Sequence, residues 1–122
     1  TYAQAYGKQE ADHVALLTQA ITQAGKTPVK EQATYIFPAF TDEKAVIGFL
    51  RVLEETGVAA YTGAARFIKD AGILATAGGI VQVEARHAAI LRRQDGMPPV
   101  PSAVEKVLTP DQTLAAAKPI LG

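Results

Sequence analysis

Glu84-x-x-His87 is the feature that most constrains what this chain can fold into. Residues three and four apart share one face of a helix, so Ile80, Glu84, His87 and Leu91 fall on a single stripe. The stripe is otherwise apolar, and burying an acid or an imidazole there is costly without compensation. Such a pair calls for an opposite charge, hydrogen bonds or a metal ion. Glu-x-x-His is also the spacing at which one helical turn offers a carboxylate oxygen and an imidazole nitrogen to the same ion. A single occurrence is a weak signal, because surface and salt-bridged pairs share it.

The segment from about Tyr2 to Ala24 repeats the pattern. Tyr6, Leu17, Ala20 and Ile21 form its apolar stripe, and Glu10 and His13 fall on that stripe. Two Glu-x-x-His pairs, each in register with an apolar face, point to a metal-binding helical core. A buried Glu/His hydrogen-bond network without metal remains the other reading of the same residues.

The remaining sequence narrows the function classes. With 122 residues the chain is long enough for one core, and abundant alanine with no tryptophan favours close-packed helices. Lys+Arg and Asp+Glu balance at 12 each, so no basic excess supports nucleic acid as a partner. The absence of cysteine excludes disulfides, thiolate metal sites and cysteine nucleophiles. No apolar run approaches the length of a membrane span, and no signal peptide is visible.

Along the chain, Gly25 is a natural residue to close a first helix over 1–25, with Pro28 just beyond it. Residues 26–40, with Pro28, Pro38, Tyr35, Phe37 and Phe40, read as a long connection whose aromatics pack on the bundle. Thr41 offers an N-cap for a helix over 41–69, in which Ile47, Leu50, Glu54, Val58 and Tyr61 follow at helical spacing. Glu54 falls on the apolar stripe, whereas Glu55 lies beside Arg51 and Thr62 on the polar side. A further helix over 73–94 is expected to be interrupted at Gly78-Gly79, by close packing or a bend. Arg92, Arg93 and Gln94 read as its solvated, dipole-compensating end.

In the tail, residues 95–122, the prolines exclude a helix at first. Ser102 to Glu105 can start a helical turn, and Thr109-Pro110 has the form of a helix N-terminus. Val104, Val107, Leu108, Leu114, Ile120 and Leu121 are expected to hold the tail on the bundle.

Taken together, Glu10-x-x-His13, Glu54 and Glu84-x-x-His87 resemble three of the four ligand-bearing helices of the ferritin-like superfamily. Leu53-Glu54-x-x-Gly57-Val58-x-Ala60-Tyr61-x-Gly63-Ala64 and Val83-Glu84-Ala85-Arg86-His87-Ala88-x-x-Leu91-Arg92 sharpen this. Together with His13-Val14-x-x-Leu17 they are similar to the ferritin-like domain of plant desiccation-related proteins and their bacterial relatives. The resemblance implies an all-α, ferritin-like four-helix bundle forming a single domain over 1–122. Three long helices, a long crossover connection and a wrapping tail would lie in this chain. The helix that precedes the first Glu-x-x-His in that superfamily is expected on an upstream segment, a separate polypeptide or a partner's chain.

The same resemblance implies a dinuclear Fe or Mn site, with Glu10 and Glu84 bridging, Glu54 terminal or bridging, and His13 and His87 each on one ion. Hard oxygen donors with two imidazoles suit those metals. The implied activity is of oxidase, peroxidase or catalase type on iron, O2 or peroxide, in oxidative or desiccation stress and in a periplasmic or extracellular setting. Catalytic residues beyond the ligands are not indicated. The alternatives are a non-catalytic stress scaffold of the same fold with a metal-free Glu/His network, and a helix-exchanging assembly module.

Overall fold

The computed structural model describes residues 1–121, and Gly122, the last residue of the expected tail, lies outside them. Among the described residues there are four α-helices, α1 (Tyr2–Gln23), α2 (Glu43–Ala64), α3 (Ala71–Gln94) and α4 (Pro110–Leu121). A 3-10 turn covers Ala65–Phe67, and no residue among them is in a strand. The architecture is all-α and helical-bundle in type. The chain forms two compact units, Thr1–Ala33 and the residues from Thr34 onward.

The first unit is α1 and the start of the connection. Thr1 and Gln4 form a capping box at its N-terminus. At the other end Gly25, at φ +71, donates to Thr22 O and Lys26 donates to Ile21 O. This pair of bonds satisfies the last carbonyls in the manner only a left-handed residue allows, and glycine adopts that conformation without penalty. The residues of α1 that are not exposed are Tyr6, Glu10, His13, Leu17, Ala20 and Ile21, the stripe read from the sequence.

In the second unit, α2 and α3 pack antiparallel: Arg51 pairs with Asp95 and Glu55 with Arg92, so partner numbers fall as α2 advances. The buried apolar side chains are Val58 and Ala59 of α2 and Ala77, Ile80, Ala88 and Leu91 of α3. Alanines at these positions let two helices approach closely, which is the use the composition suggested.

Several boundaries differ from expectation. The cap of α2 is Asp42, not Thr41: its carboxylate accepts from Ala45 N at 2.8 Å, and a carboxylate also suits the positive end of the helix dipole. α2 stops at Ala64 instead of continuing to 69, and Ile68 turns to extended backbone after the 3-10 turn. α3 starts at Ala71, two residues earlier than Ile73, because the Asp70 side chain caps Ile73 N at 2.9 Å. Its helical structure runs unbroken through Gly78 and Gly79, and nothing lies within 4 Å of where a Cβ would sit at either. No close approach occurs there, whereas at Gly63 a Cβ would collide with the backbone carbonyl of Leu108.

In the connection, Phe37 and Phe40 set their edges against Phe49 of α2, with ring centroids 6.0 and 5.4 Å away. The tail holds on by fewer contacts than expected. Leu108 and Ile120 are sheltered, whereas Val104, Val107 and Leu114 are exposed. Ala103 and Val104 bend instead of forming the expected helical turn, with Ser102 Oγ donating to Val104 O. The Thr109 cap is as expected: Thr109 Oγ1 accepts from Gln112 N, and Gln112 Oε1 from Thr109 N. The α4 that follows carries Pro119 within it and runs past Lys118 to Leu121. Ile120 O then accepts from Ile36 N, tying this helix to the connection.

Candidate metal centre

Three of the five sequence-derived ligands meet in the second unit. α2 supplies Glu54, and α3 supplies Glu84 and His87, one turn apart on its buried stripe. His87 Nδ1 lies 3.4 Å from Glu54 Oε1 and 3.8 Å from Glu84 Oε2. Their donor atoms all lie within 4.8 Å of one another. The side chains are 3%, 12% and 7% exposed for His87, Glu54 and Glu84, so this is a sheltered polar cluster in an apolar surround.

The first unit carries the other Glu-x-x-His. On α1, His13 Nδ1 stands 3.6 Å from Glu10 Oε1, with His13 buried and Glu10 half-exposed at 47% of its side chain. Both pairs therefore have their rings turned toward the carboxylate one turn earlier, as the i, i+3 spacing provides.

The donor set fits a metal ion. First-row metal bonds to oxygen and nitrogen of about 2.0–2.2 Å place two donors of one ion about 3–4 Å apart. The 3.4 and 3.8 Å separations fall in that range. Two carboxylates and one imidazole are hard to borderline donors, suited to Fe or Mn rather than to a soft metal.

Beside this cluster lies an ion-pair network that the sequence reading did not find. Arg51 donates through Nε to Asp95 and through Nη1 to Glu55, both at 2.8 Å. Arg92 Nη1 also bonds Glu55, and Arg92 Nε donates to Pro98 O at 2.7 Å. Arg92 is thus not a solvated helix end: its side chain is 13% exposed and ties α3 to α2 and to the tail. Glu55 likewise faces a partner helix, not open solvent. The i, i+4 spacing of Arg51 and Glu55 was the available signal, but it cannot reveal a partner 37 residues away.

Among the described residues, no helix is long and apolar enough to cross a membrane. No curated protein matches this sequence significantly. The family described as "Ferritin-like domain" matches residues 1–96, a span that takes in both Glu-x-x-His pairs and Glu54. With that match over more than three quarters of its length, and with its all-helical architecture, the chain belongs to the ferritin-like domain family.

Proposed function

We propose that this chain is a ferritin-like metal protein whose ligand set is Glu10, His13, Glu54, Glu84 and His87, holding a dinuclear Fe or Mn site. The observation that carries this reading is the buried meeting of Glu54, Glu84 and His87 at metal-ligand spacing. The family match supports counting Glu10 and His13 in the same set, because it spans residues 1–96. Dinuclear bundles use two carboxylate–imidazole turns plus a Glu from each of two further helices, and this chain carries both turns and one of those two glutamates, Glu54.

Such a pair of ions would supply redox chemistry toward iron, O2 or peroxide. This chain's own groups would hold it, with the glutamates offsetting the ions' charge and His87 offering an imidazole nitrogen. The apolar neighbours Val58, Ile80 and Leu91 limit water. On the sequence resemblance the reading extends to a role in oxidative or desiccation stress and to an oxidase, peroxidase or catalase type of activity.

Thermal unfolding with and without a strong chelator tests the reading. Protein reconstituted with Fe(II) or Mn(II) is expected to melt several degrees higher than the chelated form, since an ion bound only by the folded state stabilises it. The geometry gives the metal-free reading its own support, because His87 faces two acids at 3.4 and 3.8 Å. An unchanged melting temperature, with the Glu84→Ala protein much less stable than the parent, would select that scaffold reading instead.

A further inference from the structure

Away from the metal cluster, a cleft of about 300 Å³ lies between α2, α3 and the tail. None of Glu54, Glu84 and His87 lines it. Its floor is made by Ala59, Ala85, Ala88 and Ala89, residues small enough to leave the groove between the helices unfilled. Residues 99–107 cross above them as an arch fixed at both ends. At one end Pro98 O accepts from Arg92 Nε at 2.7 Å; at the other, Leu108 N donates to Ala59 O at 3.0 Å and its backbone sits on Gly63. Pro98, Pro99 and Pro101 keep the arch from coiling into a helix, and it spans the groove as an irregular segment.

We propose that this cleft is a binding site for a small, neutral, mainly apolar molecule of about the size of a one- or two-ring aromatic. Three observations set that class. The volume lies at the low end of the range for ligand pockets, about 300–1,000 Å³. The arch already occupies the groove lengthwise, leaving no room for a peptide helix or strand. The wall charges sum to zero: Glu55 is paired with Arg92, and Glu105 and Lys106 are of opposite sign. The walls therefore favour neither sign of ligand charge, and a charged ligand loses hydration over the alanine floor.

The test is a titration of the 122-residue chain, labelled at its alanine methyls, with 1-naphthol and separately with 1-naphthoate, read by NMR. Saturable shifts at the methyls of Ala59, Ala85, Ala88 and Ala89 are expected with 1-naphthol, and binding roughly tenfold or more weaker with the carboxylate. Ala89→Leu fills the floor, and Val52→Trp fills the mouth from a half-exposed position that tolerates a large side chain. Either variant is expected to weaken 1-naphthol binding at least tenfold while the helical circular dichroism is unchanged. Should Ala89→Leu fail to fold, Val52→Trp carries the comparison. No saturable shift at those methyls, equal binding of the carboxylate, or unaltered binding in folded Val52→Trp would overturn the proposal.

Discussion

Glu54 and Glu55 are neighbours in sequence that serve different sides of the α2–α3 pair. Glu54 Oε1 lies 3.4 Å from His87, while Glu55 is held by Arg51 and Arg92 next to the cleft. One helical step of about 100° is enough to separate a ligand from a structural ion pair. The two positions are therefore expected to separate by experiment. Glu54→Gln should lose bound metal with the fold kept, whereas Glu55→Gln should keep metal and lose about 1–2 kcal/mol of stability in urea unfolding. Equal metal loss in both variants would contradict this division.

Gly63 carries the seat of the tail. A methyl group there would strike the Leu108 carbonyl and displace the hydrogen bond from Leu108 N to Ala59 O. Gly63→Ala is expected to destabilise the chain by about 1–3 kcal/mol despite the better helix propensity of alanine. Gly78→Ala, with open space around it, should instead be neutral or stabilising by up to about 1 kcal/mol. Denaturant midpoints for the two variants check the contrast.

The caps offer a finer comparison. Asp42→Ala removes the acceptor for Ala45 N and is expected to cost about 1 kcal/mol, while Thr41→Ala should stay within about 0.5 kcal/mol. Similar losses in the two variants would return the cap to Thr41.

How much of this was legible in the sequence follows from the range of the forces involved. The stripe Tyr6, Glu10, His13, Leu17, Ile21 could be read because helix periodicity fixes which residues share a face, whereas the meeting of Glu54 with Glu84 and His87 was expected only from the resemblance to the ferritin-like superfamily. The Thr109 cap and Gly25 were legible for the same local reason. Arg92 was misjudged because a cation in a last turn looks dipole-compensating until a partner from another helix is placed beside it. Gly78 was misjudged, since a glycine in a helix announces a close approach without saying whether any backbone meets it. Val104 and Leu114 are apolar residues that the tail leaves exposed, and periodicity alone cannot tell a short helix that packs from one that half packs.

Acidification should release bound metal. Protons compete with the ion for the Glu54 and Glu84 carboxylates and the His87 imidazole, all of which must be deprotonated at their donor atoms to ligate. Retention measured after desalting across a pH series is expected to fall steadily toward acid pH, with the helical circular dichroism persisting beyond the point of metal loss. Retention that is independent of pH would place the metal on other groups.

The most direct test is the metal content of the purified chain after supply of Fe(II) or Mn(II), measured by elemental analysis beside the Glu84→Ala/His87→Ala double variant. The parent is expected to retain Fe or Mn and the variant to lose nearly all of it. A folded parent that retains no Fe or Mn, or a double variant that retains as much as the parent, would contradict it.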